Sequence, residues 1–275
     1  MRRRDLLQSA AALAAMGRLR AQSATTEQTA EIKLGVATYS LRNFRRDLAI
    51  RMIKQMRIEY ADVKEFHLPY NDTPKELADG RKRFETAGIR IIGGGNISMP
   101  ESDEAGLRKH FDYARVCGFQ ILICAPTREN LPAVEKLAKE YDVRIAIHNH
   151  GPEDKQFPSP QSVLKAVGSM DPRMGLCIDI GHTARAGSDI IESIREVGPR
   201  LFEMHFKDLR DKSSRESQCI VGEGVLPIPG IFRELRRSGY QGVCSLEYEI
   251  DEDNPLPGML QSFAYMRGVI AGQVS

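Results

Sequence analysis

Eight short runs rich in apolar and β-branched residues, each followed by a polar loop and a helix-like stretch, constrain this chain more than any other feature. The runs are KLGVATYSL (33–41), YADVKEF (60–66), IRIIGGG (89–95), FQILICA (119–125), VRIAIHN (143–149), MGLCIDI (174–180), LFEMHFK (201–207) and VCSLEYE (243–249). They are nearly continuously apolar rather than alternating, the pattern of parallel strands covered on both faces. Between them lie amphipathic stretches such as DEAGLRKHFDYARVCG (103–118), with Leu107, Phe111, Ala114 and Cys117 at helical spacing. Gly88, Gly118, Gly168 and Gly239 stand where helices should stop. Eight β/α units without a linker or a composition break predict an α/β fold, a single (β/α)8 TIM barrel over residues 31–275. A doubly wound open sheet is the competing arrangement, but no G-x-G-x-x-G follows the first strand. With 275 residues, 41% of them hydrophobic, the chain has apolar surface enough for one sizeable core.

Residues 1–30 read as a leader. MRRRDLLQSAAALAAMGRLRAQS carries adjacent arginines and then a small-residue apolar stretch too short to span a bilayer, and it resembles a twin-arginine export signal. The expectation is a periplasmic or otherwise extracytoplasmic protein; the alternative is a basic leader on a cytoplasmic one. The formal charge is +2, and Arg2, Arg3, Arg4, Arg18 and Arg20 belong to the leader, so the body is near neutral. A near-neutral body argues against a nucleic-acid partner, which requires a basic patch. No stable membrane span is expected, and self-association is allowed without having a signature. The five cysteines are odd in number, form no C-x-x-C, and at Cys124, Cys177 and Cys244 sit in apolar runs, so no disulfide framework is expected.

Function is written at the carboxyl ends of the strands, where barrels keep their active groups. Strand two ends in Glu65 and His67, strand five in His148 and His150, and strand six in Asp179 followed by Gly181-His182. Strand seven gives His205, Lys207 and Asp208, and strand eight gives Glu247 and Glu249. Five of the six histidines fall at these places; His110 alone does not. Burying several charges at one barrel mouth costs several kcal/mol per ion unless a cation offsets them. A mixed oxygen and nitrogen set from His148, Asp179, His205 and Glu247 suits a divalent metal, Mn²⁺ first, with Mg²⁺, Co²⁺ or Zn²⁺ as alternatives. Side-chain alternation aims His148 with His150, His205 with Lys207, and Glu247 with Glu249. The deeper member of each pair is then the ligand and the outer one the substrate contact.

These residues lie in DIGH (179–182), HFKD (205–208), GEG (222–224) and SLEYE (245–249). In this order on eight β/α units, the chain resembles the xylose isomerase-like barrel superfamily, in its sugar phosphate isomerase/epimerase branch. The resemblance implies a divalent metal on four strand-end residues, usually glutamate, aspartate, histidine and glutamate, which fall on His148, Asp179, His205 and Glu247. Position 148 departs from that pattern, and symmetric epimerisation between two glutamates is put in question. Relatives with histidine-rich fifth strands resemble inosose dehydratases and keto-sugar lyases.

The expected chemistry is proton abstraction next to the carbonyl of a sugar or polyol derivative, through a metal-stabilised enediolate. Glu247 is expected as the base, His150 or Lys207 as the group that returns the proton or helps a hydroxyl leave. His182 is expected on a substrate hydroxyl, with Glu65, His67 and Glu223 as further substrate contacts. The first outcome is a sugar isomerase/epimerase. The alternative is a lyase or dehydratase acting on a keto-sugar, inosose or keto-glycoside. A non-catalytic sugar-binding barrel and an apurinic-type endonuclease complete the set, the latter disfavoured by the neutral body and the small histidine count.

Overall fold

The computed structural model describes residues 31–273. The expected export signal lies outside the described residues. Seven parallel strands come first: β1 (Lys33–Ala37), β2 (Tyr60–Val63), β3 (Arg90–Met99), β4 (Ile121–Pro126), β5 (Arg144–His148), β6 (Met174–Asp179) and β7 (Leu201–Phe206). Two short antiparallel strands follow, β8 (Asp208–Leu209) and β9 (Gln218–Cys219), and then β10 (Val243–Leu246). β10 pairs with both β7 and β1, so the eight long strands close into a parallel barrel.

Helices α1 (Arg46–Gln55), α2 (Pro74–Thr86), α3 (Glu104–Cys117), α4 (Leu131–Tyr141) and α5 (Pro160–Val167) follow the first five strands. After β6 come α6 (Ile180–Arg185) and α7 (Ile190–Val197); α8 (Ile228–Arg237) precedes β10 and α9 (Leu256–Gly272) follows it. Their apolar stripes bury Phe84, Phe111, Val134, Val163, Ile194, Phe232 and Phe263 against the outside of the barrel. A separate small cluster of Ile123, Ala146, Cys177 and Phe202 is buried apart from that layer. Among the described residues no helix is long and apolar enough to cross a membrane. All five cysteines are buried free thiols.

Two departures from the expected strands have physical causes. The run 33–41 stays extended only to Ala37, and Thr38–Leu41 form a 3-10 turn. Its hydroxyls tie strand ends together: Thr38 Oγ1 accepts from Lys64 N at 2.9 Å and Ser40 Oγ from Tyr248 N at 2.8 Å. The third strand runs on to Met99, with register shifts on both sides. Gly93, Gly94 and Gly95 permit this, because a Cβ at any of them would collide with Ile121, Phe119 or Ile123 alongside.

Candidate active site

β5, β6, β7 and β10 are neighbours in the barrel, and their carboxyl ends carry the four expected ligands. His148 and Asp179 are the last residues of β5 and β6, His205 lies in β7 opposite Asp179, and Glu247 directly follows β10. The amide of Glu247 donates to the carbonyl of Phe206 at 2.9 Å, carrying the ladder one residue beyond the strand. All four side chains are buried, and one ligand atom from each lies within 4.8 Å of all the others.

The spacing is that of a coordination shell. His148 Nε2 is 3.1 Å from His205 Nδ1 and 3.7 Å from Asp179 Oδ2, while His205 Nδ1 is 3.3 Å from Glu247 Oε1. A tetrahedron of ligands about 2.1 Å from a metal has edges of about 3.4 Å. Two imidazole nitrogens and two carboxylate oxygens therefore fit a divalent cation.

The surrounding charge is balanced around this point. Burial first raises the proton affinity of Glu247, but Lys207 and His205 outweigh it and hold the carboxyl well below its usual range. Burial, with His150 and His205 close by, keeps His148 neutral, its pKa well below that of a free imidazole. Burial opposes the charge of Lys207 too, yet Asp179, Glu247 and Glu249 raise its pKa well above the usual value. Its Nζ lies 3.1 Å from Asp179 Oδ2 and 3.0 Å from Glu247 Oε2, and it also pairs with Glu249. Glu247 thus turns one oxygen to the ligand cluster and the other to Lys207.

Three sequence motifs acquire structural reasons. In DIGH, Asp179 caps α6 by accepting from His182 N at 2.7 Å, which fixes its other oxygen in the cluster. A Cβ on Gly181 would lie 2.7 Å from Cγ and Cδ of Lys207, so only glycine lets the lysine stem pass. In HFKD and GEG, Asp208 accepts from the backbone of Leu209 (2.9 Å), Gly222 (2.9 Å), Gly224 (3.2 Å) and Leu226 (3.1 Å). This acid is a clamp for the loop rather than a reactant.

Above the cluster opens a cavity of about 640 Å³ whose walls include Tyr39, Lys64, His150, His182, Lys207 and Arg215. His150 lies just past β5, its ring 4.5 Å from that of His148. Its Nδ1 is 3.3 Å from Asp154 Oδ2 and its Nε2 is 2.7 Å from Asn96 Nδ2. An imidazole held between an acid and an amide donor carries its hydrogen on Nδ1 and keeps a lone pair on Nε2. Burial lowers the pKa of His182 to about 4, so that ring is neutral. Arg185 donates to its Nδ1 at 3.4 Å, which leaves Nε2–H as the donor.

Three expected substrate contacts are not brought to the cavity. Its lining includes none of Glu65, His67 and Glu223. His67 is fully buried under the carbonyl of Phe44, 3.1 Å from its Nε2, and burial lowers its pKa to about 4. Glu65 faces Lys64 at 3.6 Å, and Glu223 pairs with Arg210 at 2.9 Å on the surface. The first two miss the cavity because β2 ends at Val63 and the chain turns, His67 N donating to Lys64 O at 2.9 Å. Sequence reasoning also passed over Asp62, Asn96 and Asp154. Asp62 was legible as an acid in mid-strand; Asn96 and Asp154 lie on segments whose path the sequence does not fix.

Comparison with known proteins bears on this geometry. The family model for the xylose isomerase-like TIM barrel matches residues 53–269. The chain belongs to that family. Among curated xylose isomerase-like relatives, an inosose dehydratase of Mesomycoplasma hyopneumoniae (strain 7448) is 26% identical over 156 residues. That match covers 50% of this chain and 51% of the relative, so the chain spans about half the length of the curated relatives it matches first. Among solved structures, a protein of Parabacteroides distasonis ATCC 8503 is 29% identical with a TM-score of 0.67, covering 86% of this chain and 98% of that one. An IolI protein with a bound zinc atom shares the fold at 18% identity and a TM-score of 0.72, over 88% of this chain and 99% of that one.

Proposed function

We propose that this barrel is a divalent-metal-dependent sugar isomerase or epimerase that removes a proton next to the carbonyl of a sugar or polyol. The observation that carries the reading is the double aspect of Glu247. One carboxylate oxygen lies among the ligand atoms and the other faces Lys207 at the cavity wall. His148, Asp179, His205 and Glu247 would hold the metal, which when bound supplies positive charge for the oxygen that becomes negative as the proton leaves. The choice of Mn²⁺ over Zn²⁺ or Co²⁺ belongs to this proposal.

Glu247 is ionised and takes the proton. Lys207, held among three carboxylates, steadies the charge on the substrate side. His182 donates Nε2–H to a substrate hydroxyl. His150, with its lone pair on Nε2 and Asp154 behind Nδ1, accepts a proton on the far wall and gives it back. The pair Glu247 and His150 is chemically unequal, unlike two matched glutamates.

That inequality, together with curated relatives named inosose dehydratase, supports a second reading in which a hydroxyl is expelled after proton removal. Burial raises the pKa of Glu249 despite Lys207, which makes it a proton donor suited to a leaving hydroxyl. Arg185 and Lys207 at the cavity wall already pair with Glu153 and with Asp179, Glu247 and Glu249, so an unphosphorylated keto-sugar, inosose or keto-glycoside is the proposed substrate class.

The test is incubation of a panel of such substrates in deuterated water with Mn²⁺, Zn²⁺ or Co²⁺. Deuterium in a recovered isomer supports isomerisation, and an unsaturated product supports elimination. Glu247→Gln should lower either turnover by about 10³-fold or more while the fold persists. Turnover retained in that variant would remove Glu247 as the base.

A further inference from the structure

Inside the barrel Asp62 of β2 is fully buried; Glu203 of β7 and Ser245 of β10 are buried too but bond to each other at 2.6 Å. Oδ2 of Asp62 is 3.4 Å from Nε2 of His205, the ring nitrogen opposite the one that faces His148 and Glu247. Neither oxygen of Asp62 nor Nε2 of His205 has a hydrogen-bonding partner among the described residues, so each is the other's nearest candidate. A buried carboxyl without donors is costly, which calls for a partner that accounts for it. Imidazole is a ligand through one nitrogen only when the other carries the hydrogen, and an acceptor behind that hydrogen fixes the ring.

We propose that Asp62 is the positioning residue of the metal centre, taking the Nε2 hydrogen of His205 and thereby presenting Nδ1, with its lone pair, to the cation. The inference rests on the metal-dependent reading above and adds a residue to it that touches neither cation nor substrate. It also assigns opposite roles to the two histidines. His205 has an acid behind its outer nitrogen, whereas Nδ1 of His148 is buried without a partner and no acid backs that ring.

The test compares wild type, Asp62→Asn and Asp62→Ala by calorimetric titration of the purified, chelator-treated full chain with Zn²⁺ and Mn²⁺. Thermal unfolding with and without the cation accompanies each titration. The amide of Asp62→Asn can still accept the hydrogen without the charge, so its affinity should fall by about 10-fold and that of Asp62→Ala by about 100-fold. In chelator, both variants should melt at or above the wild-type temperature, because an unpaired buried carboxyl has been removed. A residue that merely supported the fold would do the reverse, lowering the metal-free melting temperature. Affinities within twofold of wild type in both variants, or a metal-free melting temperature that falls along with affinity, would overturn the proposal. Absence of cation binding by the wild type itself would overturn the metal-dependent reading and this inference together. Binding by the wild type with unchanged variants would overturn the inference alone.

Discussion

Nε2 of His148 and Nδ1 of His205 face each other at 3.1 Å in the buried mouth of the barrel. Two ring nitrogens at that distance share a proton, which a bound cation would replace. A divalent cation should therefore stabilise the fold, by about 2.7 kcal/mol at a hundred times its dissociation constant. His148→Ala should weaken binding by about 100-fold or more and abolish the cation-dependent rise in melting temperature. Burial opposes a proton on His205, but Cys177, Glu247 and Asp62 outweigh it and raise its pKa well above the usual value, so a cation must displace a proton there and affinity should decline as pH falls. Calorimetry at pH 7.5 and 5.5 checks both statements.

Gly181 leaves room for the stem of Lys207, whose Cγ and Cδ would lie 2.7 Å from an added Cβ. Gly181→Ala should push the ammonium away from Asp179 and Glu247. Overpacking of this kind destabilises by about 1–3 kcal/mol. Turnover should fall more than substrate affinity does, measured as a drop in kcat with a smaller change in KM.

Asp208 holds four backbone amides of the loop that also carries Arg215 and Gln218 to the cavity. Asp208→Ala orphans those donors and should destabilise by about 2–4 kcal/mol. KM should rise as the wall loosens, and urea unfolding with steady-state kinetics will report both changes. An unaltered KM would show that the loop does not shape the substrate's place.

His67 supplies a pH dependence remote from the ligand cluster. Burial lowers its pKa from 6.5 to about 4, so below pH 6.5 the unfolded chain takes up a proton that the folded chain refuses until about pH 4. Stability therefore falls as pH decreases through that window, by about 1.4 kcal/mol per unit at most. At pH 5 the loss relative to pH 7 from this residue is about 2 kcal/mol. In His67→Gln that part of the slope should vanish, as read from urea midpoints at the two pH values.

The barrel was legible because parallel strands sealed on both faces must be apolar throughout, and each of the eight expected runs overlaps a strand of the closed sheet. The convergence of positions 148, 179, 205 and 247 was legible for a related reason: each sits where its strand runs out, and strand ends on one face of a barrel meet. What failed was extrapolation past a strand's end. Glu65 and His67 stand at the end of the apolar run 60–66, but the strand stops at Val63 and the turn after it carries both away from the cavity. Glu223 sits between two glycines in a motif that serves the Asp208 clamp, so its neighbours rather than its carboxyl explain the pattern. Asp62 went unread because the apolar run was taken to continue to residue 66, which made this penultimate strand residue look like mid-strand.

Between the paired imidazoles of the fifth strand lies Asn149, whose side chain accepts from Asp179 N at 3.1 Å and donates to Thr183 Oγ1 at 3.1 Å. It rivets the tip of β6 and the start of α6 to the end of β5, and its neighbours on either side are relieved of that duty. Chemistry and scaffold are thus interleaved residue by residue. A lineage, or a designer, can exchange the groups at 148 and 150 and so retune which ion is held and which proton moves, while the rivet keeps the rim in register.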